Sequence, residues 1–182
     1  MAIRRCRPAF HPHPVVTYRD ARESSGIPRG DNMAESRGAV DVRRAVLINR
    51  PRALVAAYMF DPKNDADWTR NVRAVRPLVE GRLRVGSRVE RRVRFLGREF
   101  GYMYEVVAAD GDHFVEMVVQ QPFPMQIRYQ LDDVVGGTRA TIHARGDAGR
   151  FFRWAGPLMR AMVARSIGND LRALKAHIES RP

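Results

Sequence analysis

The chain has 182 residues, of which 45% are hydrophobic, and this length and composition fit one globular domain with a sizeable core. No run approaches the ~20 apolar residues of a membrane-spanning helix, and the arginines near the start lack the apolar segment of a secretory signal. Cys6 is the only cysteine, so neither an intrachain disulfide nor a cysteine-based zinc site is expected, and a reducing cytoplasm is favoured.

The net charge of +12 and the isoelectric point near 11.1 raise the question of a nucleic-acid partner. Of the 32 basic residues, only Lys63 and Lys175 are lysines, a bias typical of a GC-rich genome. The arginines are spread along the whole chain, and charge of that kind supports only non-specific association. We therefore expect no specific nucleic-acid binding, and we favour attraction to anionic lipid headgroups or acidic ligands.

Residues 1–38 differ from the rest of the chain. They contain four prolines, and no segment follows the period of a strand or a helix, which predicts a disordered tail. Met33 lies close to the organised region, so a native protein that begins near Met33 is an alternative. His11 and His13 flank a proline, but two histidines without a third ligand do not predict a metal site.

The organised region, residues 39–180, opens with a predicted strand from Val40 to Ile48. Asn49 is placed to cap a short helix, and Pro51 lies near its first turn, where a missing N–H costs nothing. The predicted buried stripe of this helix consists of Leu54, Val55, Tyr58 and Met59.

A further helical turn is predicted from Asp61 to Trp68, because the residue before Pro62 disfavours the helical conformation and ends the first helix. We expect Trp68 to plug the end of the core, and a role in ligand binding is the alternative.

The pattern then becomes strand after strand, with apolar and charged residues alternating as in a sheet that has one dry face and one wet face. Asp110-Gly111 and Gly136-Gly137 predict tight turns, and the prolines at 122 and 124 prevent the preceding strand from continuing. The six predicted strands are Val72 to Leu78, Val89 to Phe95, Phe100 to Val106, Phe114 to Gln120, Met125 to Asp132 and Thr138 to Ala144.

The longest periodic segment is the last one, from Ala148 to Glu179. Its apolar residues recur at spacings of three and four and form one wide stripe on a helix. The stripe consists of Phe151, Ala155, Leu158, Met159, Met162, Val163, Ile167, Leu171, Leu174 and Ile178. Such a helix needs a concave partner to cover it, and the antiparallel meander supplies one.

This order of elements resembles the helix-grip fold of the SRPBCC superfamily. Three segments are similar to the bacterial polyketide cyclase/dehydrase branch: INRPRALVAAYMFDPKNDADW (Ile48 to Trp68), GGTRATI (Gly136 to Ile142) and NDLRALKAHIE (Asn169 to Glu179). The resemblance implies an α+β fold in which a curved antiparallel sheet of about seven strands wraps over the long helix. It also implies an apolar central cavity, but it transfers no catalytic residue.

Strand and helix phases predict which residues line this cavity. Those on the sheet are Tyr102, Tyr104, Met125, Tyr129 and Leu131, those on the long helix are Phe151, Trp154, Leu158, Met162 and Ser166, and Tyr58 and Trp68 belong to the short helices. For each of them ordinary core packing is the favoured interpretation, and ligand contact is the alternative. The tyrosines carry more weight as a group, because buried hydroxyls need partners that a polar ligand supplies. We expect Phe151 to Ser166 to face the ligand and Ile167 to Ile178 to seal the far end.

Two charged residues, Arg91 and Glu116, also fall on inward phases. If both lie inside they would pair, since a lone buried charge is costly. Arg91 would then orient an acidic or carbonyl-bearing ligand, and Glu116 would be its counter-ion or a proton acceptor. The alternative, which the sequence favours, is that both reach solvent from twisted or edge strands.

Three further histidines, at 113, 143 and 177, are scattered, and none has a partner at the spacing of a nucleophilic triad. No glycine-rich phosphate loop is present either, because GGTRATI begins a strand rather than a helix. We therefore predict no cofactor and no metal, and the catalytic residues, if there are any, stay unknown.

The favoured function is a binding module that takes up a hydrophobic or aromatic small molecule or a lipid, for storage, transfer or sensing. A cyclase/dehydratase-type enzyme that folds a polyketide-like chain is the second hypothesis. A regulatory or interaction protein with a vestigial cavity is the third. We expect a cytoplasmic monomer or homodimer that can contact an anionic membrane surface.

Overall fold

The computed structural model describes residues 39–95, 97–121, 124–147 and 156–181. The predicted tail at residues 1–38, with its two histidines and the alternative start at Met33, lies outside the described residues. The tail therefore stays a prediction.

Seven strands form a single antiparallel sheet. They are β1 (Ala39–Ile48), β2 (Val72–Pro77), β3 (Arg88–Phe95), β4 (Arg98–Asp110), β5 (Phe114–Val119), β6 (Met125–Val134) and β7 (Gly137–Asp147). Their order across the sheet is β1-β7-β6-β5-β4-β3-β2, so the strands from β2 to β7 form a meander and β1 adds beside β7. The predicted seven-stranded α+β architecture is confirmed.

Two short helices, α1 (Arg52–Met59) and α2 (Asp65–Trp68), connect β1 to β2, with a 3-10 turn at Pro62–Asn64 between them. The long helix α3 (Gly156–Glu179) ends the fold, and the part of its apolar stripe from Val163 to Ile178 packs into the core cluster on one face of the sheet. We call this the inner face, and the opposite one the outer face. No helix within the described ranges is long and apolar enough to cross a membrane.

The end of α3 is tied to the end of β1. Lys175 Nζ donates to the carbonyl oxygen of Leu47 at 2.7 Å, and the backbone N–H of Asn49 donates to Glu179 Oε1 at 2.7 Å. The predicted capping role of Asn49 is therefore wrong. Pro51 occupies the N-cap position of α1, and the backbone N–H of Asn49 bonds to Glu179 of α3 instead.

The buried face of α1 differs from the prediction at one position. Leu54 is 55% exposed, whereas Ala56 is fully buried. Leu54 and Ala56 lie on opposite sides of Val55 around the helix. The spacing of apolar residues therefore fits a buried face that includes either of them.

The turn between β6 and β7 requires glycine at position 137. Gly137 has a φ of +143°, and a Cβ atom there would lie 2.2 Å from the carbonyl oxygen of Ile48. The next residue, Thr138, donates its hydroxyl to the carbonyl oxygen of Arg50 at 2.8 Å. The GGTRATI segment is therefore a turn that fastens β7 to the end of β1.

The predicted phases of β3, β4 and β6 are confirmed, but that of β5 is wrong. Val115, Met117 and Val119 face the core, whereas Phe114 and Glu116 lie on the outer face. Both phases of FVEMVV carry apolar residues, so alternation cannot choose between them. The guanidinium carbon of Arg128 lies 3.6 Å from the centre of the Phe114 ring and covers this outward aromatic side chain.

Candidate functional site

A buried ion pair lies on the inner face of the sheet. Arg91 of β3 is 4% exposed and Asp65 of α2 is 1% exposed. Arg91 donates to Asp65 Oδ2 from Nε at 2.9 Å and from Nη2 at 2.5 Å. Each buried charge therefore has an oppositely charged partner, which offsets the cost of removing it from water.

Asp65 and Trp68 stand three residues apart on α2 and share its buried face. Trp68 is fully buried, as predicted for a plug of the core, and its ring meets that of Tyr129 edge to face at 5.8 Å. The indole Nε1 of Trp68 is buried, and it has no hydrogen-bond partner among the described residues.

Three tyrosines surround the guanidinium of Arg91. The ring of Tyr104 lies 4.6 Å from the guanidinium carbon, and its hydroxyl accepts a long hydrogen bond of 3.5 Å from Arg91 Nη2. Tyr129 is buried, and Tyr102 stands opposite Arg91 in the register of β3 and β4 and is half-buried. We call Asp65, Arg91, Tyr102, Tyr104 and Tyr129 the Arg91 cluster.

The protonation states of this cluster follow from its burial. Burial raises the pKa of Tyr129 to about 12, and it raises the pKa of Tyr104 as well, so both phenols keep their protons at neutral pH. Burial also raises the pKa of Asp65, and the guanidinium of Arg91 opposes that rise. Burial acts to lower the pKa of Arg91, but Asp65 and the tyrosines hold it well above its ordinary value. The cluster therefore surrounds an ion pair of opposite charges with protonated phenols that can donate hydrogen bonds.

The two halves of α3 cover the inner face differently. In the second half, Leu171 and Leu174 are almost fully buried. In the first half, Met162 and Val163 are half-buried and Leu158 is 66% exposed. Apolar side chains at the start of β6 are likewise half-buried, namely those of Met125 and Ile127. Among the described residues, the second half of α3 therefore seals the sheet and the first half covers it incompletely.

Two polar residues of α3 hold the turn between α2 and β2. Asn71 Nδ2 donates to Ser166 Oγ at 2.8 Å, and the backbone N–H of Arg70 donates to Asp170 Oδ1 at 3.0 Å. Ser166 thus has a structural partner in addition to its predicted place beside a ligand. Burial raises the pKa of Asp170 to about 6, and the Arg70 N–H opposes that rise.

Asp170 gives folding a pH dependence of known sign. Because its carboxyl binds a proton more tightly in the folded state, its contribution to stability is complete below about pH 4 and is lost as the pH rises through about 6. We expect Asp170→Asn, which keeps an acceptor for the Arg70 N–H, to remove this dependence. Urea denaturation of both proteins between these pH values measures it. Parallel stability–pH curves for the two proteins would contradict the assignment.

The structure brings some predicted site residues together and separates others. Tyr102, Tyr104, Tyr129, Arg91 and Trp68 converge on the inner face, and Met125 lies at its less covered end. Met162 is half-buried but does not pack against the core cluster of described residues, and Leu158 is 66% exposed. Phe151 and Trp154 lie outside the described residues.

Tyr58 is not part of this group. Its ring stacks with that of His177 at 6.3 Å, and its hydroxyl donates to Asp67 Oδ2 at 3.0 Å, near the end of α3. Burial raises the pKa of this phenol to about 12. Tyr58 therefore stabilises the sealed end of the fold.

Glu116 lies on the outer face, so it does not form the conditional pair with Arg91. The favoured expectation that both residues reach solvent is wrong for Arg91, which is 4% exposed, and agrees with the partly exposed Glu116. Glu116 accepts hydrogen bonds from Gln126 Nε2 at 2.7 Å and from Arg128 Nη1 at 3.1 Å. The physical reason is the reversed phase of β5. The ion-pair partner of Arg91 that the sequence analysis missed is Asp65. The sequence pattern that could have indicated it is a carboxylate three residues before a buried tryptophan, which places both side chains on the same face of a short helix.

A groove of about 330 Å³ opens on the outer face. It is lined by Arg43, Glu116, Gln126, Arg128, Gln130, Thr141, His143 and Arg145, and we call it the outer groove. Within the described ranges, no three His, Cys, Asp or Glu side chains are grouped so that they could hold a metal ion.

The sequence from residue 39 to residue 179 matches the family described as polyketide cyclase / dehydrase and lipid transport. The chain belongs to this family. The relationship inferred from the three sequence segments is thereby confirmed. Among curated proteins, none matches this chain.

Solved structures share the fold of this polyketide cyclase/dehydrase family member. The Zhui aromatase/cyclase from Streptomyces sp. R1128 is 18% identical with a TM-score of 0.65, over 79% of this chain and 95% of that one. TTHA0849 from Thermus thermophilus is 14% identical with a TM-score of 0.67, over 77% and 97% of the two chains. Ara h 8.0201 is 12% identical with a TM-score of 0.60, over 79% and 100%. At these identities the similarity establishes the fold alone.

Proposed function

We propose that the protein binds a hydrophobic or aromatic small molecule or a lipid between the inner face of the sheet and the first half of α3. The observation that carries the proposal is the incomplete cover there, beside a buried polar cluster. Val163 is half-buried against the core, as is Tyr102 at the edge of the Arg91 cluster. Apolar walls with a few converging polar groups are the usual composition of a ligand site.

The cluster supplies the polar end of this site. In this proposal, the hydroxyl of Tyr102 and the indole Nε1 of Trp68, which has no partner among the described residues, would donate to a carbonyl, carboxylate or hydroxyl oxygen. The apolar part of the ligand would then run along Met125, Ile127 and Val163. Such a site suits storage, transfer or sensing of a metabolite in the cytoplasm.

Filling the space beneath the first half of α3 tests the proposal. The probe is 8-anilinonaphthalene-1-sulfonate, an aromatic anion whose fluorescence rises in apolar sites. We expect Val163→Trp to lower its affinity by about tenfold, because Val163 is half-buried against the core and the larger ring occupies the ligand's space. Fluorescence titration measures the change.

Ala161→Trp is the matched control. Ala161 is exposed and lies close to Val163 in α3, so the same new ring should leave the affinity within about twofold. Equal losses in the two variants, or no saturable binding to the parent protein, would overturn the proposal. Native mass spectrometry of protein purified from its own host should in addition show a co-purifying small molecule, whose mass names the ligand class.

A cyclase/dehydratase activity is the second candidate, because phenols that keep their protons around Arg91 can stabilise a developing enolate oxygen. A structural neighbour is itself named an aromatase/cyclase. Binding without turnover is favoured, since Asp65 is held by two N–H groups of Arg91 and is poorly placed to act as a general base.

A further inference from the structure

We propose that the outer groove is a second ligand site, which binds the phosphate group of a small phosphate monoester. It lies on the face of the sheet opposite α3 and takes no part in the site on the inner face. Its volume of about 330 Å³ suits a small molecule and is too small to enclose a polymer.

The register of four strands builds this groove. Arg43, His143, Arg128 and Glu116 stand opposite one another in a single row across β1, β7, β6 and β5. In the next row, Ala45 and Thr141 carry short side chains. Thr141 is only 2% exposed although it lies on the outer face, because the longer side chains around it rise above it. A depression with a hydroxyl at its floor and guanidinium groups at its rim is the result.

The charges of the lining favour a dianion. Three guanidinium groups, those of Arg43, Arg128 and Arg145, stand against the single carboxylate of Glu116, which leaves an excess of two positive charges. A phosphate monoester carries nearly two negative charges at neutral pH and accepts paired hydrogen bonds from arginine. Asp41 lies outside the lining and holds the ring of His143.

Two of the arginines have hydrogen-bonding capacity to spare. Within the described residues, the guanidinium of Arg43 has no hydrogen bond, whereas Arg128 is occupied by Glu116. His143 Nε2 lies 2.7 Å from Asp41 Oδ1, and Arg145 lies 3.2 Å from His143 Nε2 through Nε and 3.4 Å from His143 Nδ1 through Nη2. An ionised carboxylate only accepts, so the tautomer that donates from Nε2 to Asp41 leaves Nδ1 to accept from Arg145. The other N–H groups of the Arg145 guanidinium stay available to a bound anion.

Calorimetric titration with glycerol 3-phosphate tests the proposal, with uncharged glycerol as the control ligand. We expect saturable binding of glycerol 3-phosphate but not of glycerol, and we expect that binding to weaken as salt is added. Arg43→Gln and Arg145→Gln should each raise the dissociation constant about tenfold, because each removes a charge-assisted contact. Amide resonances of Thr141 and His143 should shift on titration of the parent protein.

Arg139→Gln is the matched control, since Arg139 is exposed on the same face of β7 but does not line the groove. It removes the same charge and should change the dissociation constant by less than about twofold. If Arg43→Gln and Arg139→Gln lost equal affinity for glycerol 3-phosphate, the effect would come from general surface charge and the proposal would be overturned. The absence of saturable binding to the parent protein would overturn it as well.

The same variants identify the source of the phosphate. Vesicles of phosphatidylglycerol are compared with vesicles of phosphatidylcholine and with soluble glycerol 3-phosphate. If anionic vesicles bind more tightly than the soluble ester and only the groove variants lose binding, the phosphate belongs to a lipid headgroup. If the soluble ester binds as tightly as the anionic vesicles, the phosphate belongs to a free metabolite. The groove variants Arg43→Gln and Arg145→Gln should leave the naphthalene titration of the inner site unchanged, so the two proposals can fail separately.

Discussion

Replacing Arg91 by methionine should lower the free energy of unfolding by about 3–5 kcal/mol, because the change leaves the carboxylate of Asp65 buried without its cation. Both partners are nearly inaccessible to solvent, with side chains 4% and 1% exposed. The methionine keeps much of the apolar volume of the arginine, so the loss reports charge rather than an empty space. Guanidinium chloride denaturation of the parent and the variant measures it.

The control is Arg82→Met at the surface pair of Arg82 and Asp112, whose side chains are 43% and 33% exposed. Water solvates the remaining carboxylate there, so the cost should be about 0–1 kcal/mol. A double variant, Asp65→Leu with Arg91→Met, removes both buried charges and should recover about 2 kcal/mol or more relative to Arg91→Met alone. A cost for Arg91→Met no greater than that of the control would show that the pair is solvated.

Much of the fold can be predicted because the decisive signals are local. Alternation along β3, β4 and β6 places Arg91, Tyr104 and Tyr129 on one face, and the structure agrees. The glycines at 136 and 137 mark a tight turn. Spacings of three and four along α3 locate the buried Leu171 and Leu174. In each case the neighbours in the chain determine which side of the element is apolar.

The rest depends on contacts between distant segments. Asp65 and Arg91 are 26 residues apart, and no periodicity links them. The phase of β5 follows from the strands beside it, since its own residues are apolar on both faces. The outer groove requires the register of four strands, because Arg43 and Arg128 meet only through His143 between them. Register of this kind is fixed by tertiary pairing and leaves little mark on a single sequence.

Leu174→Ala should destabilise the protein by about 2–5 kcal/mol, because it opens a cavity in the sealed half of α3. Leu174 is fully buried in the main core cluster. Leu158→Ala makes the same chemical change on the same helix at a residue that is 66% exposed, and it should stay within about 0.5 kcal/mol of the parent. Thermal and urea denaturation of the three proteins measure both effects.

The same variants decide whether α3 divides into a ligand-facing half and a sealing half. Leu174→Ala should leave the affinity for the naphthalene probe within about twofold at temperatures where the variant stays folded, since its cavity lies away from the ligand. Val163→Trp should show the reverse: a large loss of affinity with little loss of stability, because a half-buried side chain has room for a larger ring. If Leu174→Ala weakened probe binding as much as Val163→Trp, the two halves would act as one core, and the ligand site would have to be placed elsewhere.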